Sequence, residues 1–207
     1  TPKCMTKQRI VFMGTPDFAV ASLKALLDSG ANVVGVITAP DRKAGRGMKL
    51  TPSSVKQFAV DNGLRILQPT NLKSVDFLSE LRSLNATLQI VVAFRMLPEV
   101  VWNMPENGTF NLHASLLPQY RGAAPINWAI INGEKKSGVS TFFLQHQIDT
   151  GDIILQEKVP IADDETAGQL HDRLMQVGAG LVVKTLQAIE AGSCPASPQD
   201  TDKPLQD

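Results

Sequence analysis

The sequence predicts an α/β fold: a Rossmann-like, open, mostly parallel sheet of about six or seven strands flanked by helices. Three observations carry this. Residues 9–38 read as strand, helix and strand joined by short links, a βαβ unit with parallel strands and a right-handed crossover. The run Thr87–Phe94 (TLQIVVAF) is apolar at nearly every position, as a central strand covered on both faces must be. Strand-like and helix-like periodicities then alternate as far as Gly192.

Each element has its own local reason. Arg9–Met13 (RIVFM) is a short β-branched and apolar run ended by Gly14. Thr15, Pro16 and Asp17 supply an N-cap, a first-position proline and an acid for the helix dipole. Leu23, Leu26 and Leu27 give that helix an apolar face, and Gly30 suits the position just past its end. Asn32–Thr38 is the second strand. Ser53–Asn62 reads as a helix stopped by Gly63, Arg65–Leu67 as a third strand, and Ser74–Leu84 as a helix with Leu78, Leu81 and Leu84 inward. A short helix spans Pro98–Met104, a strand begins at Thr109, and a helix follows Ala123. Gly138–Leu144 and Asp152–Val159 are two more strands. Thr166–Ala191 is a long helix with Leu170, Leu174, Val177, Leu181 and Leu186 inward and His171 exposed, closed by Gly192.

Composition bounds the function. The chain has 207 residues, 43% hydrophobic and 19% charged, ordinary for a soluble globular domain. Lys plus Arg and Asp plus Glu are 20 each, so any affinity for nucleic acid must be local rather than a general positive field. Cys4 and Cys194 form neither a disulfide framework nor a metal-ligand spacing, so no metal is expected. No apolar run reaches the roughly 18 residues of a membrane span, and the polar start is not a signal peptide. A cytoplasmic monomer without membrane contact is the expectation. A dinucleotide site is excluded on detail, because Gly14 stands alone where G-x-G-x-x-G would be needed.

The chemistry concentrates in Gly108–Pro125, GTFNLHASLLPQYRGAAP. A strand through Thr109–His113 puts Asn111 and His113 on one face, and Pro118 ends regular pairing. An amide N–H can donate to an oxygen that turns negative, and an imidazole can do the same or move a proton. Asp149 lies in a polar insertion between two strand-like runs and could orient that imidazole, although spacing alone does not bring the two together. His146, close to Asp149, reads as a loop-edge histidine. Arg42, Lys43, Arg46 and Lys49 place four positive charges within the loop 40–52, opposed only by Asp41. Gly45 and Gly47 there suit a segment that orders on an anionic partner.

NLHASLLPQYRGAAPINWAI together with QIDTGDI closely resembles the formyltransferases that use 10-formyltetrahydrofolate. GTPDFAVASL and PDRKAGRGMKLTPSSVK narrow the resemblance to the methionyl-tRNA branch. It covers Arg9 to Gly192, most of the chain. The resemblance implies that Asn111, His113 and Asp149 are the catalytic trio. It also implies that Phe94, Arg95, Met96 and Leu97, with Ser115, Leu116, Leu117 and Pro118, form the folate site. The 10-formyltetrahydrofolate would be a co-substrate. By the same resemblance the Arg42–Lys49 segment contacts initiator Met-tRNA, although Lys43 and Ser54 stand where that branch usually has proline. Residues 5–192 would be the catalytic domain and 193–207 a linker toward a second, β-barrel-like domain. Two rivals stand beside this reading. One is a transferase of the same superfamily acting on glycinamide ribonucleotide or a nucleotide-linked amino sugar. The other is a non-catalytic module that binds folate or tRNA.

Overall fold

The computed structural model describes residues 7–145, 149 and 151–192. Cys4, His146, Cys194 and the expected linker 193–207 lie outside the described residues.

The strands are β1 (Arg9–Gly14), β2 (Asn32–Ile37), β3 (Arg42–Ala44), β4 (Lys49–Thr51), β5 (Ile66–Leu67), β6 (Leu88–Val92), β7 (Thr109–His113), β8 (Lys136–Phe143) and β9 (Ile153–Pro160). The helices are α1 (Asp17–Asp28), α2 (Ser54–Asp61), α3 (Val75–Ser83), α4 (Glu99–Trp102), α5 (Pro125–Ile131) and α6 (Ala167–Glu190). Seven strands make one sheet in the order β5-β2-β1-β6-β7-β8-β9, and β3 and β4 make a second, two-stranded sheet. By residue contacts the chain divides into two compact units, Gln8–Thr109 and the remainder.

In the unit Gln8–Thr109, β1 pairs in parallel with β2 and with β6, and β2 in parallel with β5. This is the βαβ arrangement expected from the sequence. Every residue of β6 is buried, as continuous apolarity requires of a strand covered on both faces. Gly14 is packed so tightly that a Cβ there would lie 2.6 Å from the Ala19 Cβ and 2.7 Å from the Val92 carbonyl oxygen. Its glycine therefore serves close approach of backbone, not a phosphate turn.

Three local expectations shift. Pro16, not Thr15, is the N-cap of α1 and makes no side-chain cap bond; the Thr15 carbonyl instead accepts from Val55 N at 3.2 Å, tying β1 to α2. The inward face of α3 is Phe77 and Leu81, followed by Leu84, with Leu78 only half-buried. Residues 42–51, expected as a loop, form the antiparallel hairpin β3–β4, with Lys43 opposite Leu50 and Ala44 opposite Lys49. Gly45, Gly47 and Met48 all have positive φ, which lets the chain reverse within four residues.

In the other unit β7 pairs antiparallel with β8, and β8 with β9, so this side of the sheet departs from the parallel pattern. Short connections suffice there, since antiparallel neighbours need no crossover helix. Helix α6 begins with a capping box, Thr166 accepting from Gln169 N while the Gln169 side chain returns to Thr166 N. It buries Leu170, Leu174, Leu181, Val182 and Leu186. Gly178 admits the Leu112 side chain of β7, which would lie 2.7 Å from any added Cβ. That contact fixes the strand carrying Asn111 and His113. His171 is half-buried rather than exposed and sits 3.1 Å from Asp172.

Candidate active site

The site grows from the end of β7. Strand alternation puts Asn111 and His113 on one side of β7, where they stand opposite Phe142 and Ser140 of β8. His113 is only 7% exposed, whereas Asn111 is half-buried. The Asn111 side-chain amide makes no hydrogen bond among the described residues.

The chain then turns sharply. The Ser115 hydroxyl donates to the Gln119 carbonyl at 2.6 Å. Tyr120 takes the left-handed conformation with φ 53°, and Gly122 follows with φ 90°. This turn grips both catalytic candidates. The His113 Nε2 is 2.6 Å from the Tyr120 carbonyl oxygen, and a carbonyl can only accept, so Nε2 carries the proton. Gly122 N donates to the Asp149 carboxylate at 2.8 Å. The same carboxylate lies 3.6 Å from His113 Nδ1, an ion pair when the ring is protonated on both nitrogens. Asp149 itself is left-handed, with φ 51°. The meeting of His113 and Asp149, which spacing could not supply, is thus made by the fold.

Beneath the turn lies a buried polar network. The Ser140 hydroxyl donates to the Ser115 carbonyl at 2.6 Å and accepts from Leu117 N at 3.1 Å. Gln156 Nε2 of β9 reaches both Ser140 Oγ and the Leu117 carbonyl at 2.9 Å. Ser140 is fully buried, so its loss would strand several polar groups. Ser140→Ala is expected to lower stability by about 1–3 kcal/mol, read as a lower urea midpoint at unchanged slope. An unchanged midpoint would mean that the loop is held by other contacts. The sequence carried a signal for this network, a Ser-Thr pair inside the apolar run GVSTFFL. Nothing in spacing pointed to Gln156, Tyr120 or Gly122.

The residues expected to bind folate divide between the two units. Ser115, Leu116, Leu117 and Pro118 lie in the turn after β7, with Ser115 and Leu117 buried. Leu116 packs over Gly138, where an added Cβ would lie 2.9 Å from the Leu116 Cγ. Phe94, Arg95, Met96 and Leu97 follow β6. Arg95 stacks on the Phe94 ring at 5.4 Å from its centre and donates to the Thr70 carbonyl at 3.0 Å and to the Pro69 carbonyl. Met96 is 70% exposed and Leu97 is buried.

The hairpin β3–β4 carries Arg42, Lys43, Arg46 and Lys49, and all six of its strand residues are exposed. Arg42 and Lys49 share one face, since each stands on the same alternation as the pairs Arg42–Thr51 and Ala44–Lys49. Asp41 does not neutralise them. Its carboxylate accepts from Lys56 Nζ at 2.8 and 2.9 Å and from Gln68 Nε2 at 2.8 Å. The Lys56 bond, then the Gln68 bond, hold that carboxyl below its usual range. The four cations of the hairpin make no ion pair among the described residues.

Among the described residues no group of three or more His, Cys, Asp or Glu is arranged to hold a metal ion. No described helix is long and apolar enough to cross a membrane.

A family model described as formyl transferase matches residues 8–186. The chain belongs to the formyl transferase family. A methionyl-tRNA formyltransferase of Parabacteroides distasonis is 64% identical over 193 residues, which is 93% of this chain and 60% of that protein. The chain thus spans about three fifths of the length of the curated relatives it matches. A glycinamide ribonucleotide transformylase of Symbiobacterium toebii shares the fold, with a TM-score of 0.75 at 20% identity over 93% of this chain and 94% of that one. A sugar 3N-formyl transferase, solved in the presence of dTDP and 5-N-formyl-THF, aligns with a TM-score of 0.71 at 25% identity, over 97% of this chain and 70% of that chain.

Proposed function

We propose that the chain transfers the formyl group of 10-formyltetrahydrofolate to the α-amine of methionine on initiator tRNA, in a cytoplasmic setting. The observation that carries the chemistry is the His113–Asp149 pair at the end of β7, with the Asn111 amide, which bonds no described residue, on the same strand face. The free amine attacks the formyl carbon and the carbonyl oxygen becomes negative. Asn111 donates its amide N–H to that oxygen. His113, paired with Asp149 and held at Nε2 by the Tyr120 carbonyl, supplies positive charge beside that oxygen. The amine proton leaves through the same pair and reaches the departing N10, so that product and tetrahydrofolate separate neutral. The residues that bind folate in this reading are Phe94 to Leu97 of the one unit and Ser115 to Pro118 of the other.

The choice of amine rests on the high identity to relatives named methionyl-tRNA formyltransferase and on the hairpin β3–β4. Transferases for glycinamide ribonucleotide and for sugars share the fold, so the trio does not decide between acceptors. Incubating the chain with 10-formyltetrahydrofolate and Met-tRNA, free methionine, glycinamide ribonucleotide or an amino-sugar nucleotide tests the reading. Formylation of Met-tRNA above the other amines is expected. Transfer to a nucleotide amine instead would overturn the acceptor, and no transfer to any amine would leave a binding module.

The hairpin makes a separate expectation. The chain has no net charge, so phosphate contacts must be few and local. Replacing Arg42 and Lys49 together by Ala should raise the apparent KM for Met-tRNA. It should also flatten its dependence on salt, by roughly 0.7–0.9 in log–log slope for each phosphate no longer neutralised. The KM for the formyl donor should hold. Equal slopes for the two proteins would make the hairpin an ordinary solvated surface.

A further inference from the structure

We infer that Tyr120, tethered by its phenol to Glu134 and Asn132, is a positioning residue that sets the orientation of the His113 ring. The inference rests on the proposed role of His113. Its support is geometric. The Tyr120 hydroxyl donates to Glu134 Oε1 at 2.7 Å and accepts from Asn132 Nδ2 at 3.1 Å. Both partners follow α5 directly, where the chain is stiffened by Asn132 N and Glu134 N bonding back to Trp128 O and Ala129 O at 2.9 and 3.1 Å. Tyr120 is 7% exposed, and burial, then the Glu134 bond, push the phenol above its usual range, so it stays a neutral donor.

The other end of the same residue does the positioning. Tyr120 holds a left-handed backbone, unusual for an aromatic residue. In that conformation its carbonyl meets His113 Nε2, and two residues later Gly122 N meets Asp149. One short turn therefore holds both members of the pair. The turn has no regular ladder of its own to hold this geometry, and the phenol tether supplies a fixed point outside it. Among the described residues, the hydrogen bonds of the Asn132 and Glu134 side chains lead to His113 by way of Tyr120.

Tyr120→Phe removes both tether bonds and keeps the ring. Its kcat for formyl transfer should fall by roughly 10-fold, with KM for both substrates within about twofold, because a misaligned imidazole weakens the transition state and not ground-state binding. In 15N-labelled protein the Nε2–H signal of His113, held now by a carbonyl at 2.6 Å, should broaden or move toward free imidazole. Glu134→Ala should behave like Tyr120→Phe. Glu134→Gln, whose amide oxygen still accepts the phenol, should restore at least half of wild-type kcat. A Tyr120→Phe protein with kcat within twofold of wild type and an unmoved His113 signal would overturn the inference. So would failure of Glu134→Gln to outperform Glu134→Ala. His113→Ala measured alongside separates the two levels. If it stays active, the role proposed for His113 fails, while the ring signal in Tyr120→Phe still tests the tether.

Discussion

His113→Ala is expected to lower formyl transfer by about 10²-fold or more with substrates saturating, and Asn111→Ala by a comparable factor. The two losses have different origins. Asn111 contributes a half-buried amide donor that spends no hydrogen bond on the described protein, so its removal costs stabilisation of the developing oxyanion and little else. Its unfolding midpoint should barely move. His113 is buried and bonded to Tyr120, and its removal leaves the Tyr120 carbonyl and the Asp149 carboxylate without the ring between them. Some loss of stability should accompany the loss of turnover, of about 1–3 kcal/mol for the buried ring and its bond to the Tyr120 carbonyl. Urea unfolding of each variant separates the two effects. Because the residues act on one transition state, the double variant should be little slower than the worse single one. Near-normal turnover of His113→Ala would remove the imidazole from the chemistry. Additive losses in the double variant would mean that the two stabilise the transition state independently and not as a unit.

How much of this was legible without the fold depended on the range of the interaction. The βαβ opening, the buried β6 and the long helix α6 follow from local patterns, and all three are as the sequence reads. Asn111 and His113 on one strand face needed only period-two alternation. The hairpin β3–β4 was hidden because glycines on either side of Arg46 read equally well as a mobile loop or as the turn between two short strands. Polar, exposed strands carry no hydrophobic alternation to separate the two. The antiparallel pairing of β7, β8 and β9 was hidden for a different reason. Pairing direction depends on how the chain returns, not on the composition of any one strand. The turn from Tyr120 to Gly122 was hidden because its residues act through backbone groups. A carbonyl bonded to His113 and an amide bonded to Asp149 leave no mark on residue type, apart from the glycine.

Gly151→Ala is expected to produce the largest combined loss of stability and activity of any methyl addition at the described glycines. An ideal Cβ at this position would overlap the carbonyl oxygen of Phe143 outright and lie 2.6 Å from the carbonyl carbon. Both are backbone atoms at the end of β8, so no rotamer change relieves the overlap. Phe143 N is also bonded to the Asp152 carbonyl at 3.0 Å, which ties the two strands together just where they would have to part. The chain entering β9 must therefore move, at a cost of about 1–3 kcal/mol or more for overpacking. Asp149 stands two residues away, and its carboxylate depends on a 2.8 Å bond to Gly122 N and a 3.6 Å approach to His113. A displacement of about 1 Å loses the first and opens the second, and misplacement on that scale can cost about 10²-fold in rate. Gly180→Ala is the matched control. No atom stands within 4 Å of a Cβ there, and the residue is exposed on α6. It should gain up to about 1 kcal/mol from helix propensity with turnover unchanged. Thermal unfolding and saturating turnover on the pair give the result. If Gly151→Ala matched wild type in both, β8 and the segment before β9 would have to be looser than their bonded geometry shows, and Asp149 would be held by something other than that geometry.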